Sequence, residues 1–286
     1  MTSLSGNTRV VGIIGNPIRH SLSPAMQNAA FEACDLDYVY TPFAVLPEML
    51  GEAVLGLRAL GVCGFNVTIP HKVSIIPYLD ELDRTAEDAG AVNTVLVRDG
   101  RMIGYNTDGD GLVQSLEEEL NVTPGLAPII IIGAGGASRG AVAALCRAGA
   151  HQIVIVNRSY DKSCILKQDM SLRYPEVTIE AVHQNDLGSN HLASASLLIN
   201  TTSLGMKGDR IDFLDLAMLP PYAKVYDMVY SPAITPFMSE AAEKGIMVSN
   251  GLGMLAAQGE RAFRIWTGQT PPKGLMKLVL QGFSRS

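Results

Sequence analysis

Four short segments in the first half of the chain collect side chains able to bind a small polar molecule and move its protons. They are His20-Ser21-Leu22-Ser23-Pro24, Asn66-Val67-Thr68-Ile69-Pro70-His71-Lys72, Ala91-Val92-Asn93-Thr94 and Tyr105-Asn106-Thr107-Asp108-Gly109. Each lies beside the expected C-terminal end of a strand or in a turn, where open α/β sheets bind ligands. Hydroxyls, amides, one lysine and one aspartate suit a small, polyhydroxylated, anionic ligand. They supply no three-ligand set of His, Cys and carboxylates, so no metal is expected. Each group also has a plainer reading. Ser21 and Ser23 precede Pro24 and either cap a helix or hold a carboxylate. Lys72 is a solvated surface charge or a cleft group, and Asp108 either caps the helix expected from Gly109 or faces the ligand.

A second chemical signal is Gly133-Ala134-Gly135-Gly136-Ala137-Ser138, which follows the apolar run 129–132 and precedes an expected helix. That is the context of a dinucleotide-binding turn. Gly133 permits the tight turn, Gly135 lets the backbone approach a pyrophosphate, and the helix start offers free N–H groups and a positive dipole end. Ser138 stands where the third glycine is usual and is small enough for close packing. The plain alternative is a glycine turn without a nucleotide. The next strand ends at Asn157-Arg158-Ser159, with Lys162 one turn further on. An NAD site places an acid there to accept from the ribose 2′-hydroxyl. Here a guanidinium stands instead, able to hold a 2′-phosphate with two hydrogen bonds, so NADP is favoured over NAD. Asp161 keeps NAD open, and Arg158 as a solvated charge is the bland reading.

The elements that must position these groups follow from periodicity. Short apolar runs predict strands over 10–14, 38–44, 62–67, 129–132, 153–156, 177–181, 197–199 and 225–228. Amphipathic stretches predict helices over 24–34, 47–60, 109–120, 137–148, 160–172, 236–244, 252–266 and 273–282. Strands alternating with helices imply parallel sheets joined by right-handed crossovers. Asp99-Gly100 between the runs 95–97 and 102–105 signals a hairpin, so one strand of the first sheet is expected to be antiparallel. A chain of 286 residues suggests two domains at roughly 150 residues each, and the joint is placed between Asp108 and the polar stretch 121–125. Apolar residues at 47% and charged residues at 17% exclude disorder. A net charge of −6 offers nothing to attract nucleic acid or an anionic membrane. Cys34, Cys63, Cys146 and Cys164 are too scattered for a disulfide framework or a zinc site. No signal sequence or bilayer-crossing run is evident, so the expected location is cytoplasmic.

Taken in order, these segments resemble the shikimate dehydrogenase family (shikimate/quinate dehydrogenases). The resemblance is carried by Asn16-Pro17-Ile18-Arg19-His20-Ser21-Leu22-Ser23-Pro24, Gly64-Phe65-Asn66-Val67-Thr68-Ile69-Pro70-His71-Lys72, Gly90-Ala91-Val92-Asn93-Thr94 and Gly104-Tyr105-Asn106-Thr107-Asp108-Gly109. The glycine turn, Asn157-Arg158-Ser159, Asp227-Met228-Val229-Tyr230 and Asn250-Gly251-Leu252-Gly253-Met254-Leu255-Ala256-Ala257-Gln258 continue it. It covers nearly the whole chain. It implies an α/β protein of two domains: an N-terminal substrate domain with a mostly parallel sheet, residues 1–108 plus 251–286, and a C-terminal Rossmann-type NADP-binding domain, residues 109–250. The implied reaction is reversible NADPH-dependent reduction of 3-dehydroshikimate to shikimate, with Lys72 and Asp108 as the catalytic pair. Ser21, Ser23 and Tyr230 are implied to bind the carboxylate, and Thr68, Asn93, Asp108 and Gln258 the hydroxyls. Gly133, Ala134, Gly135, Gly136, Ala137, Ser138, Asn157, Arg158, Ser159 and Lys162 are implied to hold the cofactor, with Met228 and Gly251 near the nicotinamide. Ser159 stands where the family often has Thr, and the loop at Thr201, Thr202 and Ser203 leaves its cofactor-touching member open. The expected partner is a small-molecule substrate, with no nucleic acid or membrane; a homodimer is left open. Three rivals remain: an NAD-dependent quinate/shikimate dehydrogenase, a glutamyl-tRNA-reductase-like enzyme using Cys63 as nucleophile, and a non-catalytic ligand sensor.

Overall fold

The computed structural model describes residues 4–125 and 127–283. They fall into two compact units, Met1–Asp108 with Leu255–Ser286, and Gly109–Met254. Both units are α/β, as expected.

The first unit contains β1 (Arg9–Gly15), α1 (Ser23–Ala33), β2 (Tyr38–Ala44), α2 (Leu50–Ala59), β3 (Gly64–Val67), β4 (Glu81–Leu82), α3 (Arg84–Ala89), β5 (Thr94–Arg98) and β6 (Arg101–Tyr105). Helix α4 (Asp108–Leu120) starts on Asp108, where the first of this unit's two segments ends. The sheet order is β2-β1-β3-β5-β6-β4. Only β5 runs antiparallel to its neighbours. The Asp99-Gly100 turn explains this, since φ is 51° and 74° at those residues, the left-handed values a tight hairpin needs. Side chains alternate across β3. Phe65 and Val67 join Ile14, Leu50, Val54 and Leu57 in one buried cluster. Gly64 points the other way, where an added Cβ would lie 2.4 Å from the Trp266 ring. Trp266 donates from its indole to the Val95 carbonyl at 2.9 Å, and Phe31 stacks on Phe263 at 5.1 Å. These aromatic contacts fasten helix α9 (Leu252–Thr267, from Leu255 onward) to the first sheet and to α1, and α10 (Leu275–Phe283) packs on α1.

The second unit contains β7 (Ile129–Ile132), α5 (Gly136–Arg147), β8 (Gln152–Asn157), α6 (Tyr160–Arg173), β9 (Thr178–His183), α7 (Ser189–Ser194), β10 (Leu197–Asn200), β11 (Lys224–Asp227), α8 (Pro236–Glu243) and β12 (Met247–Asn250). Its sheet is parallel throughout, in the order β12-β11-β10-β7-β8-β9. That is the doubly wound Rossmann order, with the direction of winding reversing between β7 and β10. Strand β7 is buried along its whole length and β8 over residues 153–156, as their unbroken apolar runs require, and β10 is equally buried although it ends on Asn200.

Several expected boundaries move. The helix expected from residue 47 opens as a 3₁₀ turn, Pro47–Met49, before α2. The strand expected from residue 62 starts at Gly64, because the Val62 N–H is drawn back to the Leu57 carbonyl that ends α2. The strand expected over 177–181 sits at Thr178–His183. The short elements β4, α3, α7 and β12 were not anticipated. No helix among the described residues is long and apolar enough to cross a membrane.

Candidate active site

The chemistry of the first unit centres on Lys72 and Asp108. Lys72 follows β3 in a loop fixed on three sides. Its carbonyl accepts from the Val92 N–H at 2.7 Å, the His71 N–H donates to the Thr68 carbonyl at 2.9 Å, and the His71 ring Nε2 meets the Val45 carbonyl at 2.8 Å. Lys72 Nζ thereby reaches Asp108 Oδ2 at 2.5 Å, with side chains only 15% and 8% exposed. A pair this buried is strongly interdependent, because removing one member leaves the other charge uncompensated. The second carboxylate oxygen, Oδ1, accepts from Asn93 Nδ2 at 2.8 Å. Each oxygen of the Asp108 carboxylate thus takes one protein donor, Lys72 or Asn93, and keeps acceptor capacity for another.

Asn93 is itself held by a buried polar network. Its Nδ2 also donates to Thr107 Oγ1 at 2.9 Å, and its Oδ1 accepts from the Thr107 N–H at 2.8 Å. Asn66 Nδ2 donates to the Asn93 carbonyl and to Thr94 Oγ1, at 3.0 and 2.9 Å. Tyr40 donates its hydroxyl to Asn66 Oδ1 at 2.7 Å. Burial pushes the Tyr40 pKa well up, against a lowering hydrogen bond with Ser23. Asn66, Thr94 and Thr107 stand in the polar segments of the sequence without an individual role there, and Tyr40 lies outside those segments. Asn66 carried a usable signal: an amide inside the wholly buried strand β3 must find partners there.

The other expected substrate residues are placed as follows. Ser21 Oγ accepts from the Ser23 N–H at 3.3 Å, and Ser23 is 4% exposed at the start of α1. Thr68 is half-buried, its methyl against Gly15. Gln258 is buried, and its Nε2 donates to Leu255 O within α9 at 2.7 Å. Tyr230 belongs to the second unit and is half-buried, its pKa raised by that burial. Cys63 is half-buried beside β3, and the Cys146 thiol is pushed up to about 12, chiefly by burial.

In the second unit the glycine turn joins β7 to α5 at the winding reversal. Gly133 has φ +115°, and a Cβ there would lie 2.6 Å from Thr201 Oγ1. Gly135 is the N-cap of α5, no side chain caps that helix, and a Cβ on Gly135 would meet nothing within 4 Å. An uncapped helix start facing open space fits a phosphate group. The Ser138 side chain is fully buried and bonds Thr201 Oγ1 at 2.5 Å, so it packs the turn and offers a ligand only its backbone. Ala134, Gly136 and Ala137 border the same turn. At the end of β8, Asn157 Nδ2 donates to Ser159 O at 2.9 Å, and Ser159 is the N-cap of α6 without using its hydroxyl. Arg158 and Lys162 are exposed there. Two cations with no acid at the strand end fit a 2′-phosphate. Thr201 Oγ1 is committed to the Ile132 carbonyl and Thr202 Oγ1 to Asn200 Oδ1, both at 2.7 Å. Met228 is half-buried, and a Cβ on Gly251 would lie 2.2 Å from its carbonyl. No group of three or more His, Cys, Asp or Glu among the described residues is arranged for a metal.

Comparisons with known proteins agree with this architecture. The model described as shikimate dehydrogenase substrate binding domain matches residues 13–95. That of shikimate / quinate 5-dehydrogenase matches 118–226, and that of the shikimate 5′-dehydrogenase C-terminal domain matches 251–281. The shikimate dehydrogenase (NADP(+)) of Citrifermentans bemidjiense is 51% identical, covering 97% of this chain and 96% of its own. The structure of shikimate 5-dehydrogenase from Listeria monocytogenes, in complex with shikimate and NAD, is 36% identical with a TM-score of 0.90, covering 98% and 99% of the two chains. That from Thermus thermophilus, in complex with NADP(H) and shikimate, is 31% identical with a TM-score of 0.84, covering 96% and 99%. With its Lys72–Asp108 pair, its doubly wound second unit and three matching models along its length, the chain belongs to the shikimate dehydrogenase family.

Proposed function

We propose that this protein catalyses the reversible NADPH-dependent reduction of 3-dehydroshikimate to shikimate, in the cytoplasm, as a step of aromatic amino-acid biosynthesis. The observation that carries the reading is the buried contact of Lys72 Nζ with Asp108 Oδ2 at 2.5 Å. Residues 1–108 with 251–286 are the substrate domain, and 109–250 the NADP domain. When bound, the nicotinamide supplies the hydride that turns the ketone carbon into an alcohol carbon. Negative charge then grows on the ketone oxygen. Lys72 stabilises that charge and delivers the proton, and takes it back in the oxidative direction. Asp108 keeps the ammonium in place and accepts from a neighbouring substrate hydroxyl, while Asn93 holds the carboxylate in register.

The remaining roles follow the same logic. Ser21, Ser23 and Tyr230 donate to the ring carboxylate, and Thr68, Asn93 and Gln258 bind hydroxyls. The glycine turn from Gly133 to Ser138 takes the pyrophosphate on its backbone. Asn157, Arg158, Ser159 and Lys162 take the adenosine 2′-phosphate, and Met228 and Gly251 border the nicotinamide. A second reading has one observation in its favour: quinate dehydrogenase of Corynebacterium glutamicum, solved with NAD, superposes with a TM-score of 0.88 at 27% identity. One assay decides both. Appearance of reduced-cofactor absorbance is followed with shikimate or quinate, offering NADP⁺ and NAD⁺ separately. Turnover with shikimate and NADP⁺ is expected; none with either acid overturns the reading, and faster turnover with quinate and NAD⁺ replaces it with the second.

A further inference from the structure

Asp227 ends β11 with its side chain wholly buried, and nothing in the mechanism above uses it. Among the described residues it shares burial of a carboxylate only with Asp108, and no ion pair reaches it. Three neutral donors satisfy it instead: Thr235 Oγ1 to Oδ2 at 2.6 Å, and Asn200 Nδ2 and the Val229 N–H to Oδ1 at 2.8 and 3.0 Å. Each donor fixes a different segment. Asn200 ends β10, and its Oδ1 accepts from the Thr202 N–H and hydroxyl at 3.0 and 2.7 Å, while its Nδ2 also donates to Leu204 O at 3.0 Å. Val229 follows Met228 in the loop after β11. Thr235 caps α8, accepting from the Met238 N–H at 3.3 Å. Gly205, at φ +98°, closes against Thr235, where a Cβ would come within 3.1 Å.

One carboxylate therefore ties together the loops leaving two adjacent parallel strands at their C-terminal ends. Those ends are where a doubly wound sheet receives its ligand. A buried carboxylate without a cation is a costly way to fill a strand end. An acceptor with several lone pairs does what an apolar residue cannot, since it takes donors from three segments at once.

We propose that Asp227 is a positioning residue for the nicotinamide half of the cofactor. It holds loop 200–205 and loop 228–235 in register, so that Met228 and its neighbours form one wall, and it does not touch the cofactor. This rests on the NADP reading above. The test uses the full chain and two probes: NADPH, followed by its fluorescence, and 2′,5′-ADP, followed by calorimetry. The second probe carries the 2′-phosphate but no nicotinamide. In Asp227→Asn the NADPH Kd is expected to rise about tenfold while the 2′,5′-ADP Kd stays within about twofold of wild type. Thr235→Val, which removes one donor without changing the carboxylate, repeats that split more weakly, and Thr235→Ser restores wild-type binding. The proposal is overturned if both affinities fall together, the mark of a general structural role, or if neither changes. Should Asp227→Asn not fold, the Thr235 pair decides by the same criteria. Wild-type protein that binds neither probe overturns the NADP reading itself, and this proposal with it.

Discussion

Asp108 and Asp227 are both buried, each near the C-terminal end of a sheet, and they are satisfied in opposite ways. Asp108 meets an ammonium and one amide. Asp227 meets a hydroxyl, an amide and a backbone N–H, all neutral. Burial raises the Asp227 pKa, more than Thr235, Val229 and Asn200 lower it. A charge placed against an opposite charge creates a group that moves a proton. A charge placed among neutral donors creates shape. The first unit thus concentrates reactivity at one contact, whereas the second spreads its work over backbone and loops.

Breaking the reactive contact gives the largest effect. Lys72→Ala is expected to lower kcat by about 10²–10⁴-fold, with shikimate binding retained by calorimetry. A near-normal kcat would remove the contrast between the regions. Next in size is Arg158→Ala, expected to weaken NADPH by roughly ten- to a hundredfold while leaving NADH unchanged. Kinetics with both cofactors read this directly, and equal losses would deny the guanidinium its part in choosing between them.

The glycine turn sharpens the comparison within the second unit. Gly133→Ala forces a side chain to φ +115° against Thr201 and should cost about 1–3 kcal/mol of stability in denaturant titration. A Cβ on Gly135 meets no protein atom within 4 Å, so the Tm of Gly135→Ala should hold while NADPH binding falls. Loss of stability in both would mean that the turn is packed for the fold alone.

The smallest effect is a pH dependence. A buried acid whose folded pKa lies above its ordinary value of 3.8 keeps its proton longer in the folded state. Its contribution to stability is fully present below the unfolded pKa and is lost as pH rises through the folded pKa. Asp227→Asn cannot titrate. The Tm of wild type minus that of Asp227→Asn should therefore shrink as pH rises from 3.8 toward neutrality. A flat or growing difference would show that the donors around Asp227 outweigh its burial.

The residues with chemical character were legible before the fold was. Lys72, Asp108 and the glycine turn stand out by type, and β7 and residues 153–156 of β8 by unbroken apolarity. The hairpin at Asp99-Gly100 revealed the single reversed strand. The supporting network was not legible, because Tyr40 meets Asn66, and Asn66 meets Asn93 and Thr94, through pairings of distant segments that leave no period in the chain. Asp227 was read as part of a motif, yet its partners lie 8 and 27 positions away, so its function depends on which strands become neighbours. The short elements α3, α7 and β12 escaped because a helix of six residues or an edge strand of four carries too little periodicity.

The Trp266 indole lies over Gly64 and bonds Val95, a residue 171 positions earlier. During synthesis the first sheet must wait for that ring. The second unit, drawn from one continuous stretch, has by then left the ribosome complete. The half of the protein that is begun first is finished last, and until then its uncovered sheet face is what a chaperone would meet.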